Sequence, residues 1–177
     1  MKRLVVSVAA VMALLLSAGT TIAAKGGGAV VETIPMTFAP LTSATCSYLP
    51  DGADIRWTGT GHSVTRTRTD KDGITTIGNT TTAHGVATDQ VSGDQYHFHY
   101  SASYRISNTV ANPGLFSGHV VDSFTLAGNG PYKLSNGFVG IFTTDGTSFS
   151  IEALSSRGDP ISFAPFPQGY TQHCDPL

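Results

Sequence analysis

The segment from Gln95 to Ser107 constrains the fold more than any other. Its even positions are Tyr96, Phe98, Tyr100, Ala102, Tyr104 and Ile106, and its odd positions below Ser107 are Gln95, His97, His99, Ser101, Ser103 and Arg105. Apolar and polar residues alternating with a period of two give a β-strand with one face in a core and the other in water. The same pattern recurs in "DIRWTG", where Ile55 and Trp57 oppose Asp54, Arg56 and Thr58, and in "SFSIEA", where Phe149, Ile151 and Ala153 oppose Ser148, Ser150 and Glu152. Between such stretches stand "DKDG", "VSGD", "NPG", "GNGP", "TDG" and "RGDP", each supplying residues that fix a turn or tolerate positive φ. No window has apolar residues at helical spacing, and only 12% of the chain is charged. These features predict an all-β protein: an antiparallel meander of about eight strands closing into a small barrel, with a two-sheet sandwich as the alternative.

The amino terminus has a different character. Lys2 and Arg3 precede an uncharged apolar run from Leu4 to Ala18, and small residues follow around Ala23 and Ala24. This is the layout of a secretory signal peptide over residues 1–24, too short for a spanning helix. Residues 25–30 read as a flexible leader containing Gly26 to Gly28, and residues 31–177 as a single domain. Loss of Lys2 and Arg3 from the 10 basic residues leaves eight against 12 acidic ones, spread without blocks, which excludes a surface built to neutralise a nucleic-acid backbone. No transmembrane segment is expected in the mature chain. Cys46 and Cys174 are the only cysteines. In an oxidising compartment they are expected to pair, and closing a loop of about 129 residues stabilises a fold by roughly 5 kcal/mol on the chain-entropy account.

Three histidines raise the question of a metal. His97 and His99 share the polar face of the Gln95 to Ser107 strand, and a hairpin centred on Ser92 and Gly93 puts Val86 opposite His99 with His84 diagonal to it. Imidazoles of His84, His97 and His99 on adjacent strands would suit Zn or Cu with an open position. The H-x-H pair with a third histidine resembles the ligand pattern of carbonic anhydrases and cupins. Against this, the polar face is the outer one, where a dry catalytic cavity does not form, and a surface histidine ladder is the simpler reading. No bound cofactor is therefore expected.

Asp122 fits its surroundings worst, because Val120, Phe124 and Leu126 share its face. A carboxyl turned into a core is either hydrogen-bonded or holds its proton for a purpose. Tyr96, Tyr100 and Tyr104 on the expected neighbouring strand can supply hydroxyls, so Asp122 with these tyrosines is the candidate ligand-binding pocket. Other motifs carry less. "GHSVT" lacks the final glycine of a nucleophile elbow, "DKDG" lacks the later ligands of a calcium loop, and "NTT" at Asn79 is a glycosylation sequon only in a eukaryotic context.

The pieces "ATCSYLPDGADIRWTGTG", "TDKDG", "GDQYHFHY" and "QHCDPL" together resemble small secreted β-rich bacterial proteins of unassigned function. That resemblance implies a fold and an exported location and transfers no catalytic residue. The functional expectation is a secreted, non-enzymatic β-domain, a binding or cell-envelope module whose partner is an envelope component or a small ligand. The alternatives are a calycin- or dirigent-like barrel carrying or acting on a small apolar ligand, and a surface histidine metal site.

Overall fold

The computed structural model of the protein describes residues 28–36, 40–44, 49, 51–158, 162–163 and 170–172. The expected signal segment, Cys46 and Cys174 lie outside these residues. The described residues form strands joined by turns and short loops, with no helix: β1 (Ala29–Met36), β2 (Leu41–Thr42), β3 (Asp54–Thr69), β4 (Thr75–Asp89), β5 (Gln95–Ser107), β6 (Phe116–Gly128), β7 (Leu134–Thr144), β8 (Phe149–Gly158), and the short β9 (Ser162–Phe163) and β10 (Tyr170–Gln172). β3 to β8 follow one another as antiparallel neighbours, β1 adds to the free edge of β3, β2 also pairs with β3, and β9 pairs with β10 separately.

The alternation read from sequence sets the two faces. Ile55, Tyr96, Val120 and Leu126 are fully buried, and Phe98, Tyr100 and Phe124 nearly so, while His97, His99 and Arg105 on the same strand as the tyrosines are exposed. On a flat sheet Trp57 of β3 and Phe124 of β6 would be about 20 Å apart, three strands across and four residues along. Their ring centroids are 5.0 Å apart, edge to face, and Trp57 also meets Phe98 at 5.6 Å. The sheet therefore coils until its inner face packs against itself, which is how one layer of strands makes its own core. Glycines allow this on β3 and β4. Gly59 and Gly85 are cross-strand partners, and the Phe98 ring lies over them: a Cβ on Gly85 would meet Phe98 Cε1 at 2.7 Å and the Gly59 Cα at 2.6 Å.

Closure into a barrel is not found. The strand path ends at β1 and β8, which do not pair with each other among the described residues. β1 is held along Gly59 to Arg66 of β3, and β8 loses its register with β7 between Val139 and Gly140. Without a hydrogen-bonded seam joining the last strand to the first, a curled sheet keeps two edges.

Asn79 is 5% exposed on the inner face, and its Nδ2 donates to Ser63 Oγ and Thr65 Oγ1, both at 2.9 Å. Thr81 Oγ1 completes this buried cluster by donating to Asn79 Oδ1 at 3.0 Å. The sequon residue is thus a structural amide satisfied from two strands, not a surface acceptor.

Candidate functional site

Asp122 faces the core, as its neighbours in sequence imply, and is 2% exposed. Tyr100 Oη donates to Asp122 Oδ2 at 2.8 Å. Burial pushes the Asp122 carboxyl up to about 7, although the bond from Tyr100 favours its ionised form. The Tyr100 hydroxyl is itself raised well above its ordinary value, first by burial and then by the adjacent carboxylate. The other two tyrosines stand apart. Asp122 is opposite Ala102, so Tyr100 and Tyr104 are both its diagonal neighbours, but Tyr104 packs against Phe142 with centroids 5.4 Å apart. Tyr96 is opposite Gly128, about 20 Å along the strand from Asp122, and stacks on Tyr132 at 5.9 Å. The expected four-residue pocket is therefore one carboxyl–phenol pair inside a packed interior. Such a pair can hold a proton near neutrality, but Asp122 and the 3% exposed Tyr100 present no reacting group to solvent.

The histidines lie on the outer face, with a register two residues away from the expected one. His84 stands directly opposite His99, and Val86, not Thr88, is opposite His97. The cause is the loop. Asp89 N donates to Asp94 O at 2.9 Å and Gly93 N to Asp89 O at 2.9 Å, making the turn Gln90 to Gly93. The Asp89 carboxylate braces that turn by accepting from Val91 N at 3.0 Å and Ser92 Oγ at 3.1 Å. Gly93 takes φ 79°. The His84 and His99 imidazoles start from Cβ atoms about 5 Å apart. His97 is a full pleat further along, beside Val86 and Ala127, so it does not turn the pair into a three-ligand set. Among the described residues no group of three or more His, Cys, Asp or Glu side chains could hold a metal ion. His119, opposite Arg105, is six residues along β6 from Thr125, the β6 partner of His99, and so stands away from the histidine pair.

A third place escaped the sequence reading. On the outer face the register aligns Arg66, Gly78, Arg105 and His119 in one row across β3 to β6, beside a second row of Val64, Thr80, Ser103 and Val121. Together these residues line a hollow of about 550 Å³. Gly78 is its floor, because a residue without a side chain lies between two arginines. No local motif signals this site. Its members come from four strands, and only the pairing registers bring them together.

Compared with known proteins, the chain matches no protein-family model, no curated protein and no solved structure.

Proposed function

We propose that this chain is an exported, non-enzymatic binding module of the cell envelope or extracellular space that engages its ligand on the outer face of its sheet. The observation that carries this reading is the division of the two faces. The concave face is filled by Trp57, Phe98, Tyr100, Phe124 and Leu126, all at most 5% exposed, whereas the hollow lined by Arg66 and Arg105 lies on the convex side. A carrier of a small apolar ligand needs an interior cavity of several hundred Å³. Aromatic rings in edge contact occupy that position here. Among the described residues, the buried carboxyl whose proton affinity is raised, Asp122, is sealed against Tyr100 and does not line the hollow.

Export rests on the signal-like residues 1–24, and the same compartment supports a Cys46–Cys174 bridge tying the start of the domain to its end. In the mature chain such a bridge would hold the coiled sheet as a partly open barrel or a bent sandwich. Native mass spectrometry and metal analysis of the untagged mature protein test the reading. The expected result is a bare polypeptide, lighter than the fully reduced mass by two hydrogens. A stoichiometric metal lost on His84→Ala with His99→Ala, or a co-purified apolar molecule lost on Tyr100→Ala, would overturn it.

A further inference from the structure

The hollow on the outer face has a specific chemistry. Arg66 and Arg105 flank Gly78 in one cross-strand row, so their Cα atoms are about 10 Å apart with no side chain between them. His119 stands beside Arg105 in the same row. The adjoining rows across β3 to β6 are Val64, Thr80, Ser103 and Val121 on one side and Arg68, Thr76, Ser107 and Ser117 on the other, with no carboxylate in either. Among the described residues the ion pairs are Arg56 with Asp54 and Lys71 with Asp72, so neither Arg66 nor Arg105 is neutralised. This concentration of positive charge occurs in a chain whose formal net charge is −2. Like charges facing a common gap repel, and an anion placed in the gap removes that repulsion while offering each guanidinium a planar acceptor.

We propose that this hollow is a binding site for a small organic anion, its oxyanion group held between Arg66 and Arg105 over Gly78. The proposal rests on the outer-face reading and names its ligand class. The hydroxyls of Thr80 and Ser103 are placed to meet polar groups next to the anion, and Val64 and Val121 border the site with apolar surface. A volume of about 550 Å³ exceeds what a bare inorganic anion fills, so the ligand carries a body of several carbons beside its charge. Gly78 keeps the gap open: the nearest atom to a Cβ built there is the Tyr104 carbonyl oxygen at 3.9 Å, so the strand accepts a side chain and the site does not.

Amide chemical-shift titrations of the mature protein test this, using glucuronate, phosphate and sulfate at matched ionic strength, with glucose as the neutral control. Saturable shifts at Gly78, Thr80 and Ser103 are expected with the anions and not with glucose. Arg66→Gln or Arg105→Gln should weaken binding by roughly tenfold or more, and the double variant should abolish it. Gly78→Val should abolish it with every charge in place, while His97→Ala with His99→Ala should leave it unchanged. Tighter binding of glucuronate than phosphate supports a carboxylate ligand, and the reverse supports a phosphorylated one. Absence of saturable shifts with all three anions, or equal affinity in the double arginine variant, overturns the site. The arginines are exposed, so their variants retain the fold needed for that comparison. A molecule found inside the protein by mass spectrometry would overturn the outer-face reading instead, which separates the two failures.

Discussion

Asp122 holds its proton far more tightly than a carboxyl in solution, and it makes the stability of the protein depend on pH in a definite sense. Its folded-state value, about 7, is above the ordinary 3.8, so the folded protein holds this proton more tightly than the unfolded chain. The resulting stabilisation is complete below 3.8 and is lost as pH rises to about 7, a change on the order of 4 kcal/mol at most. Urea denaturation from pH 4 to 8 should show this decline in the wild type and a flat profile in Asp122→Asn, which keeps an acceptor for Tyr100 without the charge. An unchanged slope in the variant would show that other groups carry the dependence. Asp145 works in a separate window. Backbone donation from Ser148 and Thr147 holds its carboxylate below the usual range, so its contribution is present above 3.8 and lost on acidification. The sequence identified Asp122 because three apolar residues share its face. It could not choose among three tyrosines, since that choice depends on which β5 residue the register sets beside Asp122.

Two glycines on β4 show how one strand serves both faces. Gly85 supports the core: its Cβ would lie 2.6 Å from the Gly59 Cα and 2.7 Å from the Phe98 ring, against backbone that cannot yield without parting β3 from β4. Gly85→Ala should therefore cost roughly 3 kcal/mol or more. Gly78→Ala, with nothing closer than 3.9 Å, should fold with unchanged or slightly higher stability. Thermal melts of the two variants measured together check this, and equal losses would mean that the space around the glycines does not control the cost. The β4–β5 hairpin also shows where local reading stops. Serine and glycine marked the region of the turn but not its centre. The loop is Gln90 to Gly93, braced by the Asp89 side chain, and this makes His84 a direct partner of His99 where a centre at Ser92 and Gly93 would have left it diagonal.

In the whole molecule, protection should follow position in the sheet. β4, β5 and β6 have a bonded neighbour on each side, whereas β1 and β8 are edges, carrying Val31 at 67% and Leu154 at 54% exposure. Hydrogen–deuterium exchange should be slowest in β4 to β6 and fast along the outer edges of β1 and β8. Protection of β1 and β8 equal to that of β5 would mean that the sheet closes in the full mature chain. Reduction of a Cys46–Cys174 bridge would lower stability by up to roughly 5 kcal/mol without altering this ranking, because the bridge acts mainly on the unfolded chain.

The all-β class, the antiparallel strand direction and the assignment of faces were legible in the sequence, because a period of two and turn-forming residues act over a few neighbours along the chain. The ten strands of the described residues exceed the expected eight or so, since the short β2, β9 and β10 carry no alternation of their own. The burial of Asp122 followed from the same local pattern. Registers, curvature and edges were decided by the tertiary structure, since each depends on contacts between residues far apart in sequence. Trp57 meets Phe124 only because the sheet coils. Arg66, Gly78, Arg105 and His119 form a row only because three hairpins each lock in a particular register, and no stretch of sequence shorter than that whole span contains the site.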